Sequence, residues 1–174
     1  MKKLIFVNGT MGAGKTATCK ELLGLLQPGV FLDGDWCWYM NPFLVTEETK
    51  HMVENNICFL LNSFLACSEY ENIIFCWVMH QEAIINSLLE NLDLADAKVY
   101  QFTLSVSEEA LAQRLEKSIE SGERMPDVLE RSIARLPLYD EMHTIHIDVS
   151  EISAVQAAVK IKEIVLQKGI MTEK

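Results

Sequence analysis

The sequence predicts an α/β fold in which a parallel β-sheet carries helices on both faces. Three observations predict it: apolar segments alternate with helical patterns, the run Ile73–Val78 is uninterrupted, and a glycine-rich loop joins the first strand to the first helix. Strands buried on both faces are continuous apolar runs, and parallel strands need helical crossovers. With 174 residues, of which 49% are apolar, we expect a single domain over residues 1–174.

The first strand, loop and helix carry the most specific pattern in the chain. Leu4–Val7 reads as a buried strand and Lys15–Leu26 as a helix, while Gly9–Thr16 between them fits the phosphate-binding pattern G-x-x-x-x-G-K-[ST]. Loop N–H groups and the positive end of the helix then face phosphate oxygens. Lys15 would reach the outer phosphates, and the Thr16 hydroxyl would bind Mg²⁺. A glycine-rich turn that matches by chance is the alternative, and the flanking elements disfavour it.

The loop therefore predicts a nucleotide site. We expect the nucleotide to contact Gly9, Met11, Gly12, Ala13, Gly14, Lys15, Thr16 and Ala17.

The remaining elements follow from apolar spacing and from turn residues. The first half of the remainder reads as strand Gly29–Leu32, helix Val45–Ala66, strand Asn72–Val78, helix Gln81–Leu92 and strand Val99–Val106. The second half reads as a helix capped by Ser107 and ending near Gly122, a helix after Asp127 that runs to about Tyr139, strand His143–Val149 and helix Ile152–Gln167.

Ligands of such sheets bind beyond the carboxyl ends of the strands. The loop, the turn Asp33–Asp35 and the segment Met79–His80 all fall at that edge, which is the predicted active site. Phosphoryl transfer needs ordered magnesium and an acceptor hydroxyl aimed at the γ-phosphate. We expect Asp35 to be the hydrogen-bond partner or base of the acceptor and Asp33 to be a magnesium or water ligand. An ordinary solvated turn is the alternative for these two residues.

All four arginines, Arg114, Arg124, Arg131 and Arg135, fall within 22 residues. Clustered guanidinium groups beside Gly122 suit a lid, over residues of about 115–135, that closes on the phosphates and offsets their charge. Arg124 and Arg131 are the predicted catalytic members. The alternative is surface pairing at helical spacing, for example of Arg131 with Asp127.

The acceptor pocket is predicted from aromatic residues that follow the proposed base. Trp36, Trp38 and Tyr39 would form an apolar wall that can stack on a ligand, and His80 would add a hydrogen bond. A hydrophobic plug under the next helix is an equal alternative for the aromatic residues, and a structural role is the alternative for His80.

The loop Gly9–Thr16, the segment Leu32–Asp35 and the arginine-containing lid resemble the nucleoside-monophosphate-kinase-like group of small P-loop kinases. This group includes shikimate, gluconate and adenylylsulfate kinases, and the chain is also similar to chloramphenicol phosphotransferase and to tunicamycin-resistance ATP-binding proteins. The resemblance implies a sheet of order 2-3-1-4-5, ATP and Mg²⁺ as co-substrates, and transfer of the γ-phosphate to a small acceptor. It also implies that Arg114 lies against the adenine, with Asp148 and Ser150 lining its other side.

Two departures from that group bear on function. No aspartate closes the third strand, where Trp77–His80 stands. The resemblance to shikimate kinases implies that Asp33 replaces that acid, and a weakened metal site is the alternative. No arginine occurs between Thr16 and Gln113, where such kinases hold the anionic group of their acceptors. The second departure predicts an uncharged or cationic acceptor.

The amino-acid composition limits the classes of partner that the protein is expected to bind. A formal net charge of −10 disfavours nucleic acid and anionic membranes, so we expect a small-molecule acceptor and a monomer or homodimer. Five cysteines without a C-x-x-C pair are typical of a reducing cytoplasm. The predicted function is an ATP- and magnesium-dependent kinase that acts on a hydroxyl group. The alternative is a nucleotide-binding protein that sequesters or senses a ligand without phosphoryl transfer.

Overall fold

The computed structural model describes residues 1–167 and contains a five-stranded, all-parallel sheet of order β2-β3-β1-β4-β5. The predicted fold class and strand order are therefore confirmed. The strands are β1 (Lys2–Asn8), β2 (Gly29–Asp33), β3 (Asn72–Cys76), β4 (Ala97–Ser105) and β5 (Ile145–Asp148). Strand β1 lies in the centre and pairs with β3 on one side and β4 on the other, so its carboxyl end delivers the loop to the middle of one sheet edge.

Helices connect every pair of consecutive strands. They are α1 (Lys15–Leu25), α2 (Glu47–Ala66), α3 (Glu82–Glu90), α4 (Glu108–Glu120), α5 (Asp127–Ala134), α6 (Leu136–Asp140) and α7 (Ala154–Leu166), and a 3₁₀ helix spans Gly34–Trp38. Side-chain caps begin several of them: Ser107 caps α4 as predicted, and Thr46 and Ser153 form capping boxes at α2 and α7.

Alternate residues of the central strand divide the core between the two faces of the sheet. Ile5 and Val7 belong to the apolar cluster that includes α1, α4 and α7, whereas Leu4 and Phe6 belong to the cluster that includes α2 and α3. All four side chains are at most 1% exposed. Burial on both faces explains why this strand is an unbroken apolar run. Among residues 1–167, no helix has the length and apolar character needed to cross a membrane.

The helix expected to run to about Tyr139 is instead two helices. Helix α5 ends at Ala134, Arg135 lies between the two helices, and α6 begins at Leu136. The physical reason is Pro137, which has no N–H to donate to the carbonyl of Ile133 and whose ring would clash with that carbonyl in a continuous helix. Apolar periodicity alone predicts the longer helix, whereas the proline breaks it and Arg135 at the break lines a cavity at the sheet edge.

The turn after β2 depends on a close approach between the backbone of Gly34 and the side chain of Trp77. A Cβ atom on buried Gly34 would lie 2.6 Å from Cγ of Trp77. Gly34→Ala should therefore lower the free energy of unfolding by about 1–3 kcal/mol, because the indole must move within a packed environment. Urea unfolding of the purified variant measures this loss.

Gly24→Ala is the matched control, since Gly24 is exposed on α1 and none of the described atoms lies within 4 Å of the added methyl group. It should raise the free energy of unfolding by up to about 1 kcal/mol through helix propensity. Equal stability of Gly34→Ala and the wild type would contradict the close approach.

Candidate active site

The loop between β1 and α1 has the backbone that its sequence demands. Gly12 and Gly14 adopt positive φ angles of 90° and 92°, a conformation that residues with a side chain rarely adopt. A Cβ atom on Gly12 would also lie 2.7 Å from a methyl carbon of Leu115. Helix α1 begins at Lys15 directly after the loop, so the N–H groups of its first turn point toward the enclosed space.

Lys15 is held beneath the loop with only 9% of the residue exposed. Its Nζ donates a hydrogen bond to the backbone carbonyl of Thr10 over 3.0 Å. The hydroxyl of Thr10 in turn donates to the backbone carbonyl of Ser132 over 3.1 Å, which joins the loop to α5. Burial lowers the pKa of Lys15, and the charge of Arg124 acts in the same direction, while the charges of Asp35 and Asp33 oppose both. The ammonium therefore lacks full compensation and suits a strongly anionic ligand.

Two aspartates with different surroundings follow β2. Asp33 is 4% exposed. Its Oδ2 accepts a hydrogen bond from the hydroxyl of Thr16 over 2.6 Å, and its Oδ1 accepts one from the backbone N–H of Asp35 over 3.0 Å. Asp35 is reached by solvent at the mouth of the site but is surrounded by cleft walls. This partial burial raises the pKa of Asp35 from its ordinary value, and the charge of Asp33 adds to the effect, whereas Lys15 and Arg124 oppose it.

The pair of Thr16 and Asp33 fits the needs of Mg²⁺ in a nucleotide complex. Both offer oxygen atoms, which magnesium prefers, and magnesium in such sites takes its remaining ligands from water and phosphate. Within residues 1–167, no cluster of three or more His, Cys, Asp or Glu side chains could hold a metal by itself. The site thus suits a metal that arrives with a phosphate ligand.

A first cavity, here called the loop cleft, has a volume of about 220 Å³. It is lined by Met11, Gly12, Gly14, Lys15, Thr16, Ala17, Asp35, Val78 and Arg124. Arg124 reaches it from the segment between α4 and α5, and its Nη1 is buried with no hydrogen-bond partner among the described residues. A buried guanidinium nitrogen without a partner is costly unless a ligand supplies an acceptor. The loop cleft therefore fits phosphate groups.

A second cavity, here called the α7 cavity, has a volume of about 270 Å³ and shares Gly14 with the loop cleft. Its other lining residues are Ala13, Thr18, Arg114, Val149, Ile152, Ser153, Ala154 and Ala157. The guanidinium of Arg114 donates to the carbonyls of Val149 and Ser150, which ties α4 to the segment after β5. Hydrogen bonds donated by a guanidinium lie in its plane, so these bonds do not compete with stacking of a flat ring on its face.

A third cavity, here called the aromatic cavity, has a volume of about 390 Å³. It is lined by Met11, Asp35, Trp38, Tyr39, Phe43, Val78 and Arg135. Its lining is mostly aromatic and aliphatic, with Asp35 and Arg135 as the charged members, and it is an open pocket because Tyr39 and Phe43 are exposed. Such a mixture is typical of a pocket for a small organic ligand.

The loop cleft lies between the other two cavities. It shares Gly14 with the α7 cavity, and it shares Met11, Asp35 and Val78 with the aromatic cavity. A hydrogen-bonded clamp positions Val78: the side-chain amide of Asn8 donates to the carbonyl of Met79 over 2.7 Å and accepts its N–H over 2.9 Å. Asp35 thus stands where a ligand in the aromatic cavity would meet a group in the loop cleft.

Several sequence-predicted residues lie outside these cavities. Trp36 packs against Phe31, with ring centroids 5.3 Å apart. His80 lines a separate cavity of about 290 Å³ near Glu82 and His143. Arg131 pairs with exposed Asp127 over 3.1 Å, which is the surface alternative named for it above.

Three further predicted residues lie next to residues that line the cavities but do not line them themselves. Gly9 is buried at the base of the loop. Asp148 accepts hydrogen bonds from the N–H and the hydroxyl of Ser150, so these two residues order the segment beside Val149.

Sequence reasoning missed some lining residues. Arg135 was left out of the acceptor site, and the signal that could have placed it there is Pro137, which interrupts the helix. Ser153 was missed as a boundary of the α7 cavity, although the S-x-x-Q capping pattern with Gln156 marks the start of α7. Phe43 and Val78 carry no local signal of their own, because only the fold brings them beside Asp35.

Comparison of the sequence with protein families gives one match. A family model described as an AAA domain matches residues 5–135, which include the loop, Asp33, Asp35 and Arg124. No curated protein sequence matches the chain.

Solved structures share the fold at low sequence identity. A gluconokinase from Sinorhizobium meliloti is 19% identical with a TM-score of 0.64, over 94% of this chain and 95% of that one. A tunicamycin resistance protein from Deinococcus radiodurans is 18% identical with a TM-score of 0.65, over 94% and 96% of the two chains. A shikimate kinase from Acinetobacter baumannii in complex with shikimate is 20% identical with a TM-score of 0.63, over 95% and 94%. At these identities the likeness shows a common fold.

Proposed function

The chain belongs to the AAA domain family, and we propose that it is an ATP- and magnesium-dependent kinase that transfers the γ-phosphate to a hydroxyl group of a small molecule. The observation that carries the proposal is the position of Asp35, which is shared by the phosphate-sized loop cleft and the aromatic cavity. A carboxylate at this junction can orient an acceptor hydroxyl toward a phosphate in the cleft. The names of two structural neighbours, a gluconokinase and a shikimate kinase, agree with this class of reaction.

Each group in the cleft has a role in the proposed reaction. The acceptor oxygen attacks the γ-phosphorus, the bond to the β–γ bridging oxygen breaks, and the hydroxyl proton passes to Asp35. Lys15 and Arg124 offset negative charge on the outer phosphates throughout. The loop N–H groups hold the phosphates in line, and the α7 cavity receives the base against Arg114. Catalysis is thus mostly positioning and charge stabilisation.

Magnesium fits this scheme at Thr16 and Asp33, whose oxygen atoms are 2.6 Å apart. When bound there with the nucleotide, the ion would supply further charge neutralisation for the phosphates. Asp33 also fixes the turn, since it accepts the N–H of Asp35.

The charge of the acceptor has two opposing indications. The sequence predicts an uncharged or cationic acceptor, and the carboxylate of Asp35 in the wall of the aromatic cavity supports it. Arg135 in the same wall supports an anionic acceptor instead. The net charge of −10 supports a small-molecule partner over nucleic acid in either case.

One observation favours a second function, that of a nucleotide-dependent binding protein without phosphoryl transfer. The segment after β3 reads Trp77-Val78-Met79-His80 and contains no carboxylate to support a metal. Binding without turnover would use the same loop and the same aromatic cavity.

The direct test is incubation of the protein with γ-labelled ATP, magnesium and a fractionated pool of small hydroxyl compounds, followed by separation of labelled products. Label in a new small molecule, dependent on magnesium, is the expected result. Bound ATP with no label transferred to any fraction would favour the binding protein.

The raised pKa of Asp35 predicts a pH dependence. Asp35 accepts a proton only when it is ionised, and partial burial, followed by the charge of Asp33, raises the pKa of its carboxyl above the ordinary 3.8. The value of kcat should therefore fall as the pH drops through this raised pKa. At pH values above the pKa, where Asp35 is ionised, kcat should reach its maximum. Measurement of kcat at saturating ATP between about pH 4 and about pH 8 checks the acid limb.

The residual activity of Asp35→Asn should lack this acid limb. If kcat of Asp35→Asn still falls at low pH with the same midpoint as in the wild type, the titrating group is not Asp35.

A further inference from the structure

Thr10 joins the loop to two other parts of the molecule. It is 2% exposed, and its backbone carbonyl accepts hydrogen bonds from Nζ of Lys15 over 3.0 Å and from the N–H of Ala13 over 3.2 Å. Its hydroxyl donates to the backbone carbonyl of Ser132 in α5 over 3.1 Å. The phosphate-binding pattern accepts any residue at this position, so the pattern itself does not account for a hydroxyl here.

The acceptor of this bond is a carbonyl that α5 itself cannot satisfy. Ser132 lies in the last turn of α5, where backbone carbonyls have no N–H partner within the helix. Ser132 is 3% exposed, as is Val128 one turn earlier, so this face of α5 is buried. A buried carbonyl without a donor is costly. Within residues 1–167, the bond from Thr10 is the only hydrogen bond that joins α5 to the loop.

The connection between α4 and α5 carries Arg124. It begins at a glycine cap, in which Gly122, at a φ of 76°, donates its N–H to the carbonyl of Ile119 over 3.0 Å. Residues 121–126 are exposed apart from Arg124 itself, which is half-buried. The position of Arg124 therefore depends on where the two flanking helices are anchored. Thr10 supplies the hydrogen bond that anchors α5 on the loop.

The two cations of the loop cleft need such an anchor. Lys15 and Arg124 both line the cleft. Burial lowers the pKa of Lys15, and the charge of Arg124 lowers it further, so these cations repel each other unless an anion lies between them. Asp35 attracts both and offsets part of this repulsion. A fixed α5 keeps Arg124 beside the cleft against the remainder.

We propose that Thr10 is a positioning residue for nucleotide binding, whose hydroxyl holds α5 on the loop and thereby places Arg124 opposite Lys15 across the outer phosphates. Thr10 acts through Arg124, and its hydroxyl does not contact the nucleotide. The inference rests on the nucleotide site of the proposed function but not on phosphoryl transfer. It predicts that the contribution of Arg124 to nucleotide affinity depends on the hydroxyl of Thr10.

A double-mutant cycle measures this dependence. Thr10→Val keeps the branched shape and removes the donor, and Arg124→Gln removes the charge. The four proteins of the cycle are titrated by calorimetry with magnesium and the β,γ-imido analogue of ATP, which does not transfer its γ-phosphate. Arg124→Gln should weaken binding about tenfold or more in the wild type. In the Thr10→Val background the same change should weaken binding about threefold or less.

Two further variants separate positioning from a general loss of stability. Thr10→Ser keeps the hydroxyl, so it should restore most of the effect of Arg124→Gln. Tyr100→Phe is the matched control, because the hydroxyl of Tyr100 donates to the carbonyl of Val165 in the last turn of α7 over 3.2 Å and neither residue lines the loop cleft. It should leave the affinity for the analogue and the effect of Arg124→Gln as in the wild type. Thermal melting establishes that each variant is folded.

The outcomes are distinct. If the fold-changes of the two substitutions simply multiply, the inference is overturned while the nucleotide site stands. Coupled effects that Thr10→Ser reverses support it, whether or not phosphate is transferred. Coupling that persists in Thr10→Ser overturns it, because the hydroxyl would then not be the cause. If the wild type does not bind the analogue, the proposed function and this inference are both contradicted.

A second substitution covers a failure of Thr10→Val to fold. Thr10→Ala also lacks the donor and adds no bulk, so it takes the place of Thr10→Val in the cycle, with the same expected and contrary results.

Discussion

Replacement of Lys15 by alanine is expected to abolish phosphoryl transfer, with kcat lowered by about 10³-fold or more. The physical reason is that Lys15 is the ammonium of the loop cleft, buried beside the loop, and within residues 1–167 its Nζ has only the carbonyl of Thr10 as a hydrogen-bond partner. Lys15 is the lysine that lines the loop cleft, so the variant would have no lysine there to stabilise the charge on the outer phosphates. Single-turnover transfer from γ-labelled ATP measures the loss.

The fold should survive this change. Burial lowers the pKa of Lys15, which means that the fold disfavours its charged form, so removal of the ammonium should leave the melting temperature unchanged or raise it. Lys98→Ala, at the far edge of the sheet, is the control that should transfer phosphate at the wild-type rate. Transfer at the wild-type rate by Lys15→Ala would show that the loop has been assigned wrongly.

Asp35→Asn is expected to have the second large effect on kcat, and this effect separates the two candidate functions. The amide has nearly the shape of the carboxylate but cannot accept a proton, so a kinase should lose about 10²- to 10⁴-fold in kcat. Affinity for ATP should change little, since Lys15, Arg124 and the loop N–H groups remain. Transfer assays together with calorimetric titration of ATP measure both quantities.

The matched control for this change is Asp96→Asn, which makes the same chemical replacement at an exposed position directly before β4. It should leave transfer and ATP affinity unchanged. Phosphoryl transfer that persists in Asp35→Asn at the rate of the wild type would remove Asp35 from the mechanism. If neither the wild type nor Asp35→Asn shows measurable turnover, and both bind ATP equally, the nucleotide-dependent binding protein is favoured.

The fold was largely accessible from the sequence because its signals are local. Continuous apolar runs such as Ile73–Val78 predict strands buried on both faces, and helical spacing between them predicts the crossovers of a parallel sheet. The order of the strands came from the resemblance to small P-loop kinases, and the structure confirms it. The long helix to Tyr139 was wrong because one proline outweighs a good apolar period.

For the site, too, the local features could be predicted from the sequence and the contacts between distant residues could not. Residues 9–16 are contiguous, so their pattern predicts a local backbone, and the structure has that loop with Gly12 and Gly14 at positive φ. Their contacts with a nucleotide stay a prediction. The role of Arg131 also stays a prediction, but its pairing with Asp127 is the contact that helical spacing favours by itself.

By itself the sequence determined the strand–loop–helix unit, the two aspartates after β2 and the presence of four clustered arginines, because each of these depends on neighbours along the chain. Arg124 was predicted at the phosphates from the sequence and Arg114 beside the adenine from the resemblance, and these two residues line the loop cleft and the α7 cavity. Only the tertiary structure decided that Arg135 lines the aromatic cavity. It also decided that Trp38 and Tyr39 line a pocket while Trp36 packs on Phe31. The physical reason is that these contacts join segments far apart in the chain, and their geometry depends on helix ends and on packing across the sheet edge, which apolar periodicity does not encode.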